Sequence, residues 1–274
     1  MKKILGAIAA LAMTVGLAAC GTPASQGTAN QNQLVVGMEA GYPPFNWTQK
    51  DDSNGAVKIQ GTDQYAGGYD VEIAKRVAKQ LGKELVIVKT EWDGLTPALV
   101  SGKIDAIIAG MSPTEERKAT IDFTDSYYDS QLVLVVKKGS KYANATSLAD
   151  FSGAKVTAQL NTFHYSVIDQ IPGVDKQAAM DNFPAMRVAL QAGTIDAYVS
   201  ELPEAISAEA ANSDFVMVKL TDGFKTSPED TQTAVGVKKD SPLTKEINEA
   251  LKTISSEERQ KIMEEAIKNQ PAAE

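Results

Sequence analysis

The sequence predicts an α/β protein built from two lobes of similar construction. Short β-rich runs alternate with helical patterns along most of the chain, which is typical of folds with parallel strands. The pattern Leu-x-x-Gly-x-Ile-Asp-Ala occurs at residues 99–106 and again at 190–197. The alternative is coincidence, because helix–glycine–strand junctions are common. About 240 residues follow the N-terminal segment, which is enough for one large domain or two smaller lobes.

The N-terminal segment predicts export and a lipid anchor. Lys2 and Lys3 precede an apolar stretch, residues 4–17, that is too short for a permanent membrane span. The stretch ends in Leu-Ala-Ala-Cys-Gly, which resembles the lipobox of bacterial lipoproteins. This resemblance implies a signal peptide at residues 1–19 and two acyl chains on Cys20, a number that anchors stably. Residues 20–33, small and polar after the cysteine, are predicted to form a flexible tether.

Composition excludes several classes of function. Cleavage before Cys20 removes two lysines and no acidic residue, so the net charge changes from −8 to −10. This charge argues against nucleic acid and anionic lipid as partners and mildly favours a neutral or cationic ligand. One cysteine and one histidine make a transition-metal site unexpected. No phosphate loop or nucleophile elbow is present, so we expect no metal or cofactor.

The elements follow in order along the chain. The first lobe is predicted to contain strands at 34–37, 85–88 and 104–108, a helix from Asp70 to Gly82, and a short helix near 97–100. Asp70 is expected to cap its helix, and Gly82 to end it. Two apolar runs, 132–137 and 233–238, are expected to cross between the lobes as hinge strands. The first lobe is then 34–133 with 237–270, its tail forming two amphipathic helices, and the second lobe is 134–236.

Five motifs occur in one order along this framework. They are Gly-Met-Glu-Ala-Gly-Tyr-Pro-Pro-Phe at 37–45, Gly-Tyr-Asp-Val-Glu-Ile-Ala at 68–74, Gly-Lys-Ile-Asp-Ala at 102–106, Ser-Pro-Thr-Glu-Glu-Arg at 112–117 and Ile-Asp-Phe-Thr at 121–124. Together they resemble the polar amino-acid type of bacterial extracellular solute-binding proteins, family 3. The resemblance covers about residues 34–267 and implies the two-lobed, type II periplasmic-binding-protein fold and service to an ATP-driven (ABC) importer.

The first lobe supplies a candidate site for the carboxylate of an amino acid. The planar guanidinium of Arg117 can make two parallel charge-assisted hydrogen bonds to a carboxylate. Thr114 can cap the short helix that carries it. The alternative is a surface arginine paired with a neighbouring glutamate. The resemblance assigns the carboxylate contact to Arg117 and Ser112. Residues Ala109, Gly110 and Met111 are expected beside them, and the carbonyls of the first two could accept bonds from the ammonium.

The second lobe is expected to complete the site. Residues 158–163 resemble the family segment Gln-x-Gly-Thr/Ser, which implies ligand contacts from Gln159, Thr162 and Phe163. Asn161 stands where the family has glycine; asparagine tolerates the left-handed backbone, so the turn can survive, but the Thr162 contact is less secure. Glu201 ends the second Ile-Asp-Ala segment, and the resemblance implies that it pairs with the ligand ammonium. Its alternative role is a carboxylate at a helix N-terminus.

Aromatic residues and one acid are expected to wall the ligand's side chain. Tyr42, Phe45 and Trp92 are the candidates, with a core role as the alternative for each. Glu39 makes the wall acidic as well as aromatic, which favours a cation through Coulomb and ring-quadrupole attraction. The sequence therefore favours arginine or lysine over glutamate, while glutamine, histidine and cystine stay open. His164, the single histidine, is expected at the rim.

These observations predict a monomeric lipoprotein on the extracellular face of the cell membrane. It would capture an amino acid by closure of the lobes and deliver it to an ABC permease. One alternative is an enzyme on the same scaffold, similar to cyclohexadienyl dehydratases, with Glu201 as its general acid. The other alternative is an amino-acid sensor without transport.

Overall fold

The computed structural model describes residues 32–271, so the predicted signal peptide and Cys20 lie outside the described residues. The described chain contains fourteen strands: β1 Gln33–Met38, β2 Gly41–Tyr42, β3 Asn46–Gln49, β4 Val57–Lys58, β5 Tyr65–Gly67, β6 Glu84–Lys89, β7 Ala106–Ile107, β8 Asp122–Asp129, β9 Leu132–Lys137, β10 Lys155–Thr157, β11 Asp175–Lys176, β12 Ala197–Glu201, β13 Phe215–Val218 and β14 Gln232–Val237.

Eight α-helices accompany these strands within residues 32–271: α1 Tyr69–Gln80, α2 Trp92–Ser101, α3 Glu115–Lys118, α4 Phe163–Val167, α5 Phe183–Ala192, α6 Leu202–Ala211, α7 Leu243–Lys252 and α8 Ser256–Asn269. Short 3-10 helices occupy Ser53–Gly55, Leu148–Phe151, Ile168–Gln170 and Pro228–Thr231. None of the helices in this part of the chain combines the length and the apolar character needed to cross a bilayer.

Two five-stranded sheets of the same plan define the two lobes. Their orders are β6-β1-β7-β14-β8 and β11-β10-β12-β9-β13. In each sheet the first three strands are parallel, and the next two alternate in direction. The fourth strand of each sheet comes from the run that the sequence identified as a hinge crossover. The fold is therefore the two-lobed α/β fold that the sequence predicts.

The internal repeat occupies equivalent places in the two sheets. Gly102 and Gly193 end α2 and α5 in the left-handed conformation, with φ of 80° and 74°. Asp105 then exchanges two bonds with Val35 at the start of β1, and its carboxylate accepts the Val35 N–H at 2.9 Å. Asp196 forms the same pair of bonds with Lys155 in β10. The repeat is thus a structural device that attaches each parallel strand to its neighbour.

The crossovers lie slightly before the positions expected from sequence. Strand β9 pairs only with strands of the second sheet, so the chain leaves the first lobe at residues 130–131. Strand β14 pairs with β8 from Gln232 onward, so the return begins at 232 rather than 237. The two crossing segments touch, because the Ser130 N–H donates to the Thr231 carbonyl at 2.9 Å. We place the second lobe at 132–231 on this basis.

The hydrophobic core of the first lobe lies between its sheet and helices α1, α2, α7 and α8. Ile73, Ala74 and Val77 of α1 are fully buried. The helix begins at Tyr69 after Gly68, so Asp70 lies in the first turn and does not cap it. Its buried carboxylate instead accepts bonds from Asn46 Nδ2 at 2.7 Å and the Tyr127 hydroxyl at 2.8 Å. The two predicted C-terminal helices are present as α7 and α8.

A four-stranded antiparallel sheet, β2-β3-β5-β4, was not predicted. It covers residues 41–67 and carries Tyr42 at its first strand. Its strands are two to four residues long, too short to show a period in sequence. This small sheet matters for function because it places Tyr42 against the second lobe.

Candidate functional site

A small cavity lies between the lobes, with about 260 Å³ of empty space that includes part of the adjoining solvent. It is lined by both lobes: Tyr42, Trp92, Gly110, Ser112 and Arg117 from the first, and Gln159, Thr162, Phe163, His164 and Phe183 from the second. Eight of these ten were predicted from sequence, and His164 and Phe183 were not. The other predicted residues, Glu39, Ala109, Met111 and Glu201, are buried.

Arg117 is held with part of its guanidinium free for a ligand. Thr114 caps α3 and accepts the Arg117 N–H at 3.4 Å, as predicted. Arg117 Nη1 donates to the Ser112 carbonyl at 2.9 Å, and Nη2 donates to the Asn161 carbonyl at 3.1 Å. A guanidinium has five N–H groups, so two bonds to the described residues leave capacity for a carboxylate. Glu115 forms its ion pair with Lys118, and the described ion pairs do not join Arg117 to either neighbouring glutamate.

Burial and an aromatic neighbour tune this guanidinium. Its carbon lies 5.1 Å from the centre of the Trp92 ring, a cation–π contact. Removal from water lowers the pKa of Arg117 to about 10, because desolvation penalises the charged form. The group stays positive at neutral pH. A half-buried positive charge whose hydrogen bonds go only to neutral carbonyls can still pair with an anion.

Glycine is required at position 110. Gly110 has φ of +63°, and a Cβ there would lie 2.7 Å from Tyr42 Cε1. Its N–H donates to the Tyr127 hydroxyl at 3.0 Å. Ser112 donates its hydroxyl to the Asp230 carbonyl at 2.9 Å, so the oxygen of Ser112 can still accept a bond. The segment from Ala109 to Ser112 is therefore fixed by packing against both Tyr42 and the second crossover.

The second lobe approaches through the turn at Asn161. Asn161 adopts the left-handed conformation, with φ of 55°, so the turn survives the replacement of glycine. Its carbonyl accepts from Arg117 and from Trp92 Nε1, and its side chain donates to Asp93 at 2.8 Å. The Thr162 hydroxyl donates a hydrogen bond to the Gln159 carbonyl at 2.7 Å. The turn therefore bridges the two lobes directly, which the sequence did not reveal.

Glu39 and Gln159 form a second bridge between the lobes. Gln159 Nε2 donates to Glu39 Oε2 at 3.0 Å and to the Asp181 carbonyl at 3.1 Å. The other oxygen of Glu39 is buried and receives no bond from a described residue. Burial raises the pKa of Glu39 to about 7, and the bond from Gln159 partly offsets this. Glu39 can therefore respond to a nearby cation by becoming fully ionised.

Glu201 is a fully buried carboxylate without a hydrogen-bond donor. It is 0% exposed, and neither oxygen receives a hydrogen bond from a described residue. His164 Nε2 lies 3.2 Å from Oε1, at ion-pair distance but without the direction of a hydrogen bond. Burial of a carboxyl group without a hydrogen-bond donor is costly, so any group that donated to Glu201 would stabilise this arrangement.

Glu204, one helical turn further along, shows that this arrangement is particular to Glu201. Glu204 is also 0% exposed. Its carboxylate pairs with Arg187 at 2.8 Å, accepts from the Tyr198 hydroxyl at 3.2 Å and contacts the Ser200 hydroxyl. The carboxylate of Glu204 therefore has protein partners, whereas that of Glu201 receives no hydrogen bond from a described residue. Glu201 is the N-cap residue of α6, but its side chain makes no capping hydrogen bond.

An aromatic stack closes one side of the cavity. Tyr42 stacks on Phe45 at 4.8 Å and on Phe183 at 4.4 Å between ring centres. Phe183 begins α5 of the second lobe, so this stack also joins the lobes. Tyr42 and Phe183 line the cavity, while Phe45 lies behind them in the core. Phe183 gave no sequence signal, because a single aromatic residue at a helix start has no pattern that distinguishes it from core.

His164 lies inside the site and not at the rim. It is 6% exposed and lines the cavity, and its ring is tilted by 31° to that of Phe163, with 4.2 Å between ring centres. The expectation of a rim position was wrong because the ring points inward from α4 toward the end of β12. Only the tertiary arrangement of these two elements reveals its contact with Glu201.

The fold and the site define a two-lobed protein with a cavity between the lobes, lined by Arg117 of the first lobe and by His164 of the second, behind which the buried Glu201 lies at 3.2 Å. A family described as bacterial extracellular solute-binding proteins, family 3, matches residues 34–269. The chain belongs to this family.

Named relatives extend the comparison. The chain is 30% identical over 257 residues to the arginine-binding extracellular protein ArtP of Bacillus subtilis, which covers 92% of each chain. It is 32% identical over 229 residues to a probable histidine-binding protein of Campylobacter jejuni, covering 81% of this chain and 83% of the relative. A crystal structure of the amino acid ABC transporter substrate-binding protein AbpA from Streptococcus pneumoniae, bound to L-arginine, is similar with a TM-score of 0.74 and 27% identity, covering 87% of this chain and 95% of that one.

Proposed function

We propose that this protein is the lipid-anchored receptor of an amino-acid ABC importer and that it captures a basic L-amino acid, arginine foremost. The observation that carries the proposal is a pair of groups of opposite charge type, one from each lobe: Arg117 lines the cavity, and Glu201 lies 3.2 Å from the cavity-lining His164. Arg117 of the first lobe offers free N–H groups, and Glu201 of the second lobe has no protein donor. Family membership supports the transport role.

An α-amino acid satisfies both ends of this site. Its carboxylate takes the remaining N–H groups of Arg117, and its ammonium pairs with Glu201. Charge-assisted hydrogen bonds of this kind are about twice as strong as neutral ones. Because the two groups belong to different lobes, a ligand that binds both stabilises the closed arrangement over the open one. Closure also brings the Asn161 bridge and the Tyr42–Phe183 stack together.

The preference for a basic side chain rests on Glu39 and the aromatic walls. Glu39 has one buried oxygen without a partner, beside Gln159 of the cavity wall. A cationic side chain that reaches it finds a carboxylate as well as the faces of aromatic rings. Among the cavity-lining residues in the described chain, Arg117 is the one arginine or lysine. An acidic side chain would therefore lack a second cation to pair with.

A calorimetric panel tests the proposal. Untagged protein, freed of bound ligand by partial unfolding and refolding, is titrated with L-arginine, L-lysine, L-histidine, L-glutamine, L-cystine and L-glutamate. We expect L-arginine to bind at least tenfold more tightly than L-glutamate, about 1.4 kcal/mol. Preference for L-glutamate would overturn the basic specificity. Lack of binding by every amino acid would overturn the receptor role.

Glu39→Gln is the matched variant for specificity. It keeps the shape and removes the charge, so it is expected to weaken L-arginine by at least tenfold and L-glutamine by much less. Equal losses of affinity for L-arginine and L-glutamine would show that Glu39 does not distinguish between ligand side chains.

The anchor and the transport role need separate tests. Globomycin-sensitive processing and acylation at Cys20 are checked by mass spectrometry of the mature N-terminus, and Cys20→Ser is expected to release the protein into the medium.

Loss of radiolabelled arginine uptake in a deletion strain, restored by the wild-type gene, separates an importer receptor from a sensor. Incubation with prephenate is expected to give no product, which separates it from a dehydratase.

A further inference from the structure

His164 is a buried polar side chain for which the proposed function has no role. It is 6% exposed, and neither ring nitrogen forms a hydrogen bond with a described residue. Buried polar atoms are nearly always satisfied in folded proteins. The residue lines the cavity, and its ring makes a tilted contact with Phe163 and an edge contact with Phe183. These two rings hold the imidazole in place beside the end of β12.

The nearest charged group is the carboxylate proposed to receive the ligand ammonium. Nε2 of His164 lies 3.2 Å from Glu201 Oε1. No lysine or arginine of residues 32–271 forms an ion pair with Glu201. A protonated imidazole and a ligand ammonium would thus compete for the carboxylate of Glu201. Both are cations, and in a cavity of low dielectric the first repels the second.

We propose that His164 couples amino-acid capture to proton release, because its imidazolium and the ligand ammonium compete for Glu201. This inference rests on the proposed function. When His164 is neutral, Glu201 carries an uncompensated charge that attracts the ammonium. When His164 is protonated, that charge is already neutralised, and the arriving ammonium meets a positive ring. The bond that forms is ammonium to carboxylate, and the proton leaves Nε2 or Nδ1 for solvent.

The direction of the coupling follows from linkage. A bound ammonium disfavours the imidazolium, so ligand binding expels the proton of His164. Affinity is therefore greatest where His164 is neutral in the free protein, and it is lost as the pH falls and the ring becomes protonated. Strict competition gives a limiting slope of about tenfold in Kd per pH unit.

Other titratable groups surround the site and have to be separated from His164. From the first lobe, Glu39 has a pKa of about 7, and protonation of Glu39 also weakens a cationic ligand. Arg117 and Tyr42 keep their charge states below pH 9, since burial raises the Tyr42 pKa well above 10 and that of Arg117 is about 10. On the second lobe, Tyr198 has its pKa raised by burial, and Glu204 is paired with Arg187.

Nuclear magnetic resonance measures the coupling directly, because the chain has a single histidine. The imidazole Cε1–H signal of untagged protein is titrated from pH 5 to 8 without and with saturating L-arginine, and again with L-glutamine. We expect the midpoint to shift downward by at least one pH unit with either ligand. An unchanged or raised midpoint would overturn the proposal.

Calorimetry in two buffers of different ionisation enthalpy counts the protons released. Near the midpoint of the free protein, the wild type is expected to release a fraction of a proton on binding either ligand. His164→Gln is expected to release less than half of that, with the fall in affinity from pH 8 to 5.5 reduced at least fivefold. Glu39→Gln is the control, and it is expected to keep the part of the proton release that depends on His164.

The outcomes separate the two hypotheses. Binding with equal proton release in wild type and His164→Gln would overturn the coupling and leave the proposed function standing. Failure of both amino acids to bind at every pH would contradict the proposed function, and the coupling would fall with it.

Discussion

Replacing Glu201 with glutamine isolates the charge that the account places at the centre of binding. The side chain keeps its length, and the position is fully buried without a hydrogen-bond donor from the described residues. A buried ammonium that loses its carboxylate partner costs about 3–5 kcal/mol. We therefore expect Kd for L-arginine to rise by about 150-fold or more, measured by titration calorimetry at pH 7.5.

The same variant has a second effect of opposite sign on closure. Glu201 is buried and receives no hydrogen bond from a described residue, and glutamine replaces its carboxyl group by a neutral amide that can donate to His164. Relief of an unsatisfied buried group is worth about 1–3 kcal/mol. The closed fraction without amino acid is therefore expected to rise, seen as a shorter distance between spin labels on the two lobes.

Loss of affinity together with increased closure distinguishes a ligand-binding charge from a structural one. Glu204→Gln is the matched control, since Glu204 is equally buried but paired with Arg187. It is expected to lower the melting temperature without a gain in closure. A change in Kd of less than tenfold for Glu201→Gln, or a more open Glu201→Gln protein, would refute the reasoning.

Three further predictions concern other parts of the site and its support. Arg117→Ala is expected to raise Kd at least 100-fold, about 3 kcal/mol, with the circular dichroism spectrum unchanged; a change below tenfold would contradict the carboxylate role. Asn161→Gly relieves the strain of a left-handed asparagine but removes the 2.8 Å hydrogen bond to Asp93 across the lobes, so stability is expected to hold or rise while Kd rises by about tenfold. Calorimetry measures this Kd beside that of Asp93→Asn, which removes the charge of the same hydrogen bond. Unchanged affinity in Asn161→Gly would argue against the bridge. Burial raises the pKa of Asp70 from 3.8 to about 7, so the folded state binds the proton more tightly than the unfolded state. The free energy of unfolding is therefore expected to fall as the pH rises between those values, by at most about 1.4 kcal/mol per pH unit. Urea unfolding of the ligand-free protein at pH 4.5 and 7.5 measures this fall, and an undiminished fall in Asp70→Asn would exclude Asp70 as its source.

Sequence patterns located the parts of the site that depend on local structure. The Thr114 cap, the guanidinium of Arg117 and the repeated helix–glycine–strand junctions are all set within a few residues of chain. Such features leave a residue-type signature, because a cap needs a short polar side chain and a helix stop needs left-handed backbone. The α/β class followed from the alternation of strands and helices, and the two lobes followed from the repeat at residues 99–106 and 190–197 together with the family resemblance.

The rest of the site depends on contacts between distant elements. The approach of His164 to Glu201, the stack of Phe183 on Tyr42 and the Asn161 bridge each join segments that are well separated in sequence. No single-chain periodicity encodes such a meeting. The short strands of the small sheet escaped prediction for a related reason, since two residues cannot display an alternating pattern.

A crystal structure of the protein with L-arginine tests the central claim most directly. The account predicts the α-carboxylate within hydrogen-bond distance of two Arg117 nitrogens and the α-ammonium within about 3.2 Å of a Glu201 oxygen. A bound amino acid that touches neither group, or that contacts one lobe alone, would contradict it.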